Sequence, residues 1–269
     1  MQLTVDVVML TKNSLKPCLK ECLESIYKNI PVNNLIVVDG GSTDGTLELL
    51  RSFPNVKIFF DLKGNRATSR QIGIDNATTE WFMFVDSDVI LCERWFEYVK
   101  PYIARDEVGA VWGAALQRSS SDKARYGAMS KLYGRDELWM AVKAGMKRGL
   151  THDTIIRRRA VEGIKIPKDL HVLEDHYIRM YVEGKGYKWI SAAKPYCFHF
   201  AHSRERPRDW YVFGQAAKKI RFIGLKTILS YIFFGPYKLM WIYLSSKSVS
   251  AVKTQYLTYI YIIKGWLSI

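Results

Sequence analysis

Asp86-Ser87-Asp88 sets two carboxylates two residues apart directly after the apolar run Trp81–Val85. Residues two apart on an extended chain point the same way. At the carboxyl end of a buried strand in an open α/β sheet, that direction is toward the ligand crevice. One or two carboxylates completed by water and phosphate oxygens make the coordination that Mg2+ or Mn2+ prefers. An acidic loop that merely ends a strand would look the same, so the pair acquires meaning only from its companions.

The first companion is Asp39, which closes a second apolar run and is followed by Gly40-Gly41-Ser42-Thr43-Asp44-Gly45. Glycines there let the backbone turn tightly and approach a ligand, and the helix that follows offers its N-terminus to an anion. Arg66 and Arg70 come shortly after Gly64, where another helix starts, and the planar fork of Arg70 suits phosphate. Glu174-Asp175 opens a helical pattern, at an end where acids are favoured by the helix dipole in any case. His199 ends a late strand, with His202 a weaker second candidate for the same role.

These residues need elements to hold them. Up to about residue 115 the pattern alternates strand and helix, as a βαβ series should. Strands are predicted at 3–10, 35–38, 56–60, 81–85 and 109–113, and helices at 15–27, 46–53, 67–76 and 93–104. The first strand is a nearly continuous Val/Leu/Met run and is expected to be buried on both faces. It reads as a strand and not as a signal peptide, since it carries Asp6 and lacks a basic leader and a small-residue cleavage site. Residues 118–165 lose the alternation and carry eight Lys or Arg against three acids through Arg148. They are expected to be an excursion over the acceptor side of the site. Regular pattern returns with a strand at 154–156, a helix at 174–183, and strands at 187–190 and 195–198. The four cysteines, Cys18, Cys22, Cys92 and Cys197, form no C-x-x-C pair and are expected to be reduced packing residues.

Taken in order, these blocks resemble a family 2 glycosyltransferase with the GT-A fold, the inverting class that uses nucleotide sugars. Leu10-Thr11-Lys12-Asn13 resembles its opening loop, and Val37-Val38-Asp39-Gly40-Gly41-Ser42-Thr43-Asp44-Gly45-Thr46 its best-known signature. Residues 64–73, with Arg70 inside, are similar to the segment before the metal strand, and Asp86-Ser87-Asp88 to the family's D-x-D. Leu173-Glu174-Asp175 with Gly186-Tyr187, and then residues 195–199, resemble the later blocks.

The resemblance implies an α/β domain over residues 1–202, with a mostly parallel twisted sheet flanked by helices. It implies contacts to a UDP- or GDP-linked sugar from Thr11, Asn13, Asp39, Arg70 and Asp86, with Asp39 on the nucleotide base. It implies Mn2+ or Mg2+ on Asp88, with Asp86 on ribose or metal and His199 on metal or phosphate. Asp175 is implied as the base that activates the acceptor, with Glu174 orienting groups around it. A polyprenyl phosphate is already ionised and needs little base assistance, so the acid pair tilts the acceptor toward a hydroxyl of a lipid-linked glycan. A dolichyl-phosphate type of synthase, or a non-catalytic membrane adaptor of the same fold, is the alternative. No Q-x-x-R-W is present; the nearest match, residues 215–221, lacks the tryptophan, which favours addition of a single sugar. A nucleotidyltransferase would need a glycine-rich basic loop after the first strand, and Thr11-Lys12-Asn13-Ser14 has no glycine.

The formal charge of +14 is concentrated late, with ten Lys or Arg against two acids in residues 203–253. Charge alone admits nucleic acid or an anionic membrane. Here lysines flank apolar blocks at 227–237 and 239–244, and the stretch 256–263 followed by Lys264 and Trp266 repeats the theme. Interfacial amphipathic helices have this character, and each block falls short of the roughly 18 apolar residues of a spanning helix. Residues 203–269 are therefore expected to form a basic, aromatic helical region lying on the cytoplasmic face of a membrane, peripheral or monotopic. No nucleic-acid partner is expected.

Overall fold

The computed structural model describes residues 3–118, 120–170, 172–200 and 207–269. It divides into two compact units, Met1–Leu116 with Ala141–Ala201, and Gln117–Met140 with His202–Ile269. The excursion expected at 118–165 is thus shared between them, and it holds two helices where the sequence pattern suggested irregular chain.

The first unit is built on an eight-stranded mixed sheet of order β3-β2-β1-β4-β7-β6-β8-β5. Strands β1 (Val5–Thr11), β2 (Val32–Asp39), β3 (Val56–Phe60) and β4 (Trp81–Val85) run parallel. They are joined by helices α1 (Leu19–Asn29), α2 (Thr46–Arg51) and α3 (Arg66–Asn76). Parallel neighbours require such crossovers, and buried Val, Ile and Leu on both faces of β1 and β2 are the sequence trace of a sheet covered on both sides. The register pairs Thr11 with Asp39, so the ends of β1 and β2 are level.

The other half of the sheet follows a different rule. β7 (Asp153–Arg157) lies antiparallel to β4, with Val85 opposite Asp153, and β6 (Val108–Gln117) lies antiparallel to β7. The short β5 (Val89–Leu91) pairs antiparallel with β8 (Lys188–His199), bringing Val89 opposite His199. Reversal matters because it delivers the start of β7 to the edge where β1, β2 and β4 end; β8 starts beside the start of β6 and ends at that same edge. α4 (Trp95–Ile103) and α7 (Glu174–Gly184) complete the unit, with the later part of α6 (Glu137–Lys147). Trp81, Trp95 and Trp112 are its largest fully buried side chains.

Three of the differences from the sequence expectation have identifiable reasons. α1 starts at Leu19 and not at 15, because residues 12–15 are held by the signature loop: Ser14 N donates to Thr46 Oγ1 and Leu15 N to Asp44 Oδ2. The strands expected at 187–190 and 195–198 are one strand, since the φ of Pro195 suits extended chain and nothing between them turns. β5 has only three residues, too few to show a period. All four cysteines are buried and free of disulfides, and burial raises the thiol of Cys18 to about 12.

The second unit contains α5 (Ser120–Tyr133), α8 (Pro207–Lys219), α9 (Leu225–Phe233), α10 (Gly235–Ser246) and α11 (Val249–Leu267). α8 and α11 cross at backbone contact through two glycines. A Cβ on Gly265 would lie 1.9 Å from the Tyr211 carbonyl oxygen, and one on Gly214 would lie 2.3 Å from that of Ile262. Trp241 Nε1 donates to Ala128 O at 2.9 Å, and Tyr231 stacks on Tyr259 at 4.7 Å. Tyr259 and Ile262 are buried, so the apolar stretch at 256–263 serves largely as packing. Helices α9 and α10 instead leave Leu225, Leu229, Ile232, Phe233, Phe234, Tyr237, Met240 and Leu244 exposed. No helix among the described residues is long and apolar enough to cross a membrane.

Far from the site, near the start of β1, buried Asp6 ties three segments together. Its carboxylate accepts from Asn33 and Asn34 Nδ2 at 2.8 Å each, and from the amides of Thr78 and Thr79 at 2.7 and 3.1 Å. Burial works to raise its pKa, but these donors more than offset that and hold it at about 2. A carboxyl depressed on folding stabilises above its unfolded value near 4 and loses that contribution as pH falls through the folded one. Asp6→Ala strands several buried donors and should cost about 2–3 kcal/mol at pH 7. In urea titrations its deficit relative to wild type should shrink as pH drops from about 4 toward 2; a deficit independent of pH would contradict this.

Candidate active site

At the level ends of β1 and β2, Asp39 is fully buried and its carboxylate organises the loop after it. Oδ1 accepts from the amides of Gly41 and Ser42 at 2.8 Å each; Oδ2 accepts from Thr11 Oγ1 at 2.9 Å and Ser42 Oγ at 2.5 Å. Burial acts to raise the pKa of Asp39, and these donors outweigh it and lower it. Asn13, at φ 52°, joins the same loop: its amide donates to Ser42 Oγ and its Oδ1 accepts from Thr43 N, both at 2.8 Å. Gly41 and Gly45 take φ of 92° and 94°, conformations that need glycine. Thr11 and Asn13 therefore spend their polar atoms shaping the Asp39 loop.

α3 begins with a capping box between Asn65 and Thr68 and lies close on β1. A Cβ on Gly73 would meet Val8 Cγ1 at 2.3 Å. This closeness carries Arg70, 5% exposed, into the site. Its Nε donates to Glu174 Oε1 at 3.1 Å, its Nη2 lies 3.5 Å from Asp86 Oδ1, and its guanidinium sits 5.0 Å from the centre of the Phe84 ring. Desolvation acts to lower the pKa of Arg70, but Asp86, Glu174 and Asp175 together raise it. Two buried atoms of this group, Arg70 Nη1 and Glu174 Oε2, have no hydrogen-bond partner among the described residues.

Asp86 and Asp88 stand at the end of β4 as expected, both half-buried. His199 Nε2 lies 3.3 Å from Asp88 Oδ1. Burial pulls the His199 pKa down, and the adjacent Asp88 more than reverses it. Burial likewise acts to raise the Asp88 pKa, which the His199 hydrogen bond brings below the ordinary range. One ligand atom from each of Asp86, Asp88 and His199 falls within 4.8 Å of the others. Two carboxylates and an imidazole at that separation form a donor set that fits a divalent cation taking oxygen and nitrogen ligands. His202 lies outside the described residues.

Glu174 and Asp175 are both buried in the first turn of α7. Burial, then the neighbouring Asp175, raise the Glu174 pKa against the pull of Arg70. Asp175 receives a two-pronged contact that the sequence did not disclose: Arg148 Nε donates to Oδ1 at 3.2 Å and Nη2 to Oδ2 at 2.7 Å. Arg148 follows α6, whose end is fastened to α7 by Arg179 donating to the carbonyls of Gly145 and Met146. His152, also unforeseen, packs against His199 with ring centres 5.5 Å apart. In the sequence Arg148 is one cation among eight in a basic segment, and His152 precedes a strand without a motif. Neither carries a local mark.

The site thus gathers residues from eight separate segments at one edge of the sheet, and those foreseen from the sequence stand in the order a family pattern would supply. The model for Glycosyl transferase family 2 matches residues 6–164. The chain belongs to this family. A PGL/p-HBAD biosynthesis glycosyltransferase of Mycobacterium tuberculosis is 31% identical over 160 residues, 56% of this chain and 58% of that protein. Across the curated relatives it matches, the chain spans between 17% and 58% of their length. Among solved structures, mannosyltransferase PcManGT from Pyrobaculum calidifontis, in complex with GDP-Man and Mn2+, aligns at a TM-score of 0.66 and 20% identity, covering 99% of this chain and 87% of that one. TarS 1–349 of S. aureus, in complex with UDP-GlcNAc, aligns at 0.58 and 15% identity over 98% and 89%. The fold of this family 2 chain is accordingly GT-A-like, with a mixed sheet flanked by helices.

The buried Arg70–Glu174 pair gives a direct test of the geometry. Arg70→Met leaves a buried carboxylate without its cation and should destabilise by about 3–5 kcal/mol. Glu174→Gln keeps the shape, removes the buried negative charge and leaves Arg70 beside Asp86, so its thermal midpoint should fall much less. Equal losses in calorimetry would show that the pair is not the anchor described.

Proposed function

We propose that this chain is an inverting glycosyltransferase that moves one sugar from a nucleoside-diphosphate sugar to a hydroxyl of a lipid-linked glycan. One observation carries the reading. A loop built for a base, a cation-binding donor set and a paired acid couple meet at the same sheet edge.

In this reading Asp39 and its loop hold the nucleotide, with the backbone at Gly40 and Gly41 close to it. Asp88, with Asp86 and His199, would hold Mn2+ or Mg2+, which supplies Lewis-acid stabilisation to the departing diphosphate. Arg70 Nη1 and Glu174 Oε2 are a buried donor and a buried acceptor, each costly while unsatisfied. A sugar hydroxyl offers both partners at once. Asp175 accepts the proton of the attacking hydroxyl. Arg148 and the His176 amide occupy three of the roughly four lone-pair positions of this carboxylate, so the proton is received at Oδ2. Attack from the side opposite the leaving diphosphate inverts the anomeric carbon.

The donor class is supported by the GDP-Man and UDP-GlcNAc complexes of the two similar folds. A donor panel in Mn2+ or Mg2+ tests the assignment through nucleoside diphosphate release. Asp88→Ala should lower release by about a hundredfold or more, since charge on the leaving group goes unsupported. Asp175→Asn should lower transfer by about 10²–10⁴ while donor binding persists. Equal release by wild type and both variants would defeat the site assignment.

The second unit supports a membrane-surface location for the acceptor. Phe233 and Phe234 are 72% and 63% exposed between two helices, with exposed Lys226 and Lys247 nearby in sequence. Apolar side chains entering the acyl boundary beside cations at anionic headgroups are how interfacial helices bind. In sedimentation with vesicles containing anionic lipid, wild type should pellet at low salt. Replacing both phenylalanines with serine should weaken partitioning at least about tenfold. Wild type remaining in the supernatant would refute the location.

A further inference from the structure

His152 touches both arms of the candidate cation site from behind. Its backbone carbonyl accepts from Asp86 N at 3.0 Å, fixing the chain at the end of β4. Its ring packs face to face with His199, centres 5.5 Å apart and planes 27° from parallel. β4 and β8 do not pair with each other; Asp88 and His199 are registered through β5, with Phe200 N donating to Asp88 O at 2.9 Å, and His152 adds the link from His199 to Asp86.

The ring of His152 is itself buried, with both nitrogens facing polar atoms. It is 8% exposed. Trp112 Nε1, which can only donate, lies 3.2 Å from His152 Nε2, so that nitrogen is the unprotonated one. The proton must sit on Nδ1, which lies 2.8 Å from Oδ1 of fully buried Asp153. Asp153 Oδ2 accepts from Trp95 Nε1 at 3.1 Å, and Cys197 Sγ lies 3.8 Å from Nδ1. Room for this arrangement depends on Gly113, where a Cβ would stand 2.1 Å from Asp153 Oδ2 and 2.9 Å from Trp95 Nε1. His152, Asp153 and Cys197 also cluster closely enough to suggest a buried metal site. The Nε2 lone pair is already engaged by Trp112, and Asp153 Oδ1, though 2.8 Å from Nδ1, accepts no hydrogen bond among the described residues.

We propose that His152, held in its Nδ1–H form by the Trp112 donor to Nε2, is the positioning residue of the cation site. It holds His199 and the Asp86 backbone at the spacing a divalent ion requires. The inference rests on the reading of Asp86, Asp88 and His199 as ligands. It adds a supporting layer of the kind whose loss typically weakens metal affinity by 10–100-fold.

Binding of Mn2+ alone, followed through the free-ion electron paramagnetic resonance signal, tests this without reference to activity. His152→Gln should weaken Mn2+ binding by about 10–100-fold. Trp112→Phe, which removes the donor to Nε2 along with part of a buried ring, should weaken it by about tenfold and carries the test if His152→Gln does not fold. Asp6→Asn, destabilised at the other end of β1, should bind Mn2+ as wild type does. Imidazole nitrogen shifts should report His152 as the Nδ1–H tautomer. Normal affinity in folded His152→Gln and Trp112→Phe beside weakened binding in His199→Ala would overturn the positioning role while leaving the ligand set intact. Unchanged binding in His199→Ala would remove the ligand set itself. An Nε2–H tautomer, or an equal loss in Asp6→Asn, would also overturn the proposal.

Discussion

A guanidinium sealed in a protein interior must be surrounded by charge and hydrogen-bond acceptors, and the burial of Arg70 imposes that demand on the whole first unit. Its neighbours come from three places: Glu174 at the start of α7, Asp86 at the end of β4, and the face of Phe84 within that strand. Removing a charge from water costs several kcal/mol, so α3, α7 and β4 are held together wherever the chain folds. The same cation keeps two acidic side chains close that would otherwise repel. Glu174 shows the residual tension, with a pKa raised by burial and by Asp175 despite Arg70.

Strand direction decides what else reaches this point. Parallel strands β1, β2 and β4 present their carboxyl ends, and so contribute Thr11, Asp39 and Asp86. Antiparallel β7 contributes its beginning and β8 its end, and so His152, Asp153 and His199 enter. A fully parallel sheet would have carried His152 to the opposite edge. The reversed β7 therefore brings His152 to the edge where His199 ends β8 beside the carboxylates. It also allows one buried ring to brace residues from strands that never pair.

The second unit is organised by a different economy of surface. Glycines let α8 and α11 approach to backbone contact, buried Ile242 packs with Ala128 and Ala251, and Tyr259 stacks on Tyr231. With its interior satisfied in that way, the unit leaves the apolar residues of α9 and α10 outside. The proposed membrane-surface location rests on these exposed apolar side chains and the lysines near them in sequence.

Much of the site was legible in the chain because local chemistry marks it. Asp39 precedes glycines that must adopt positive φ, Asp86 and Asp88 end a five-residue apolar strand, and Glu174-Asp175 opens a periodic helix. The order of these marks was enough to indicate the family and the positions of the parallel strands. Local pattern could not disclose which cation meets which acid. Arg148 and Arg70 look alike as single basic residues, yet folding gives one to Asp175 and the other to Glu174 and Asp86. Nor could it disclose that β7 runs backward beside β4, since an apolar run reads the same in either direction. The pairing of Thr11 with Asp39, of His199 with Asp88 and of His152 with His199 spans 28 to 111 residues. Spacing along the chain specifies the side-chain types available at each strand end; only the closing of the sheet determines which of them share an edge, because register and strand direction are set by burial of the core as a whole.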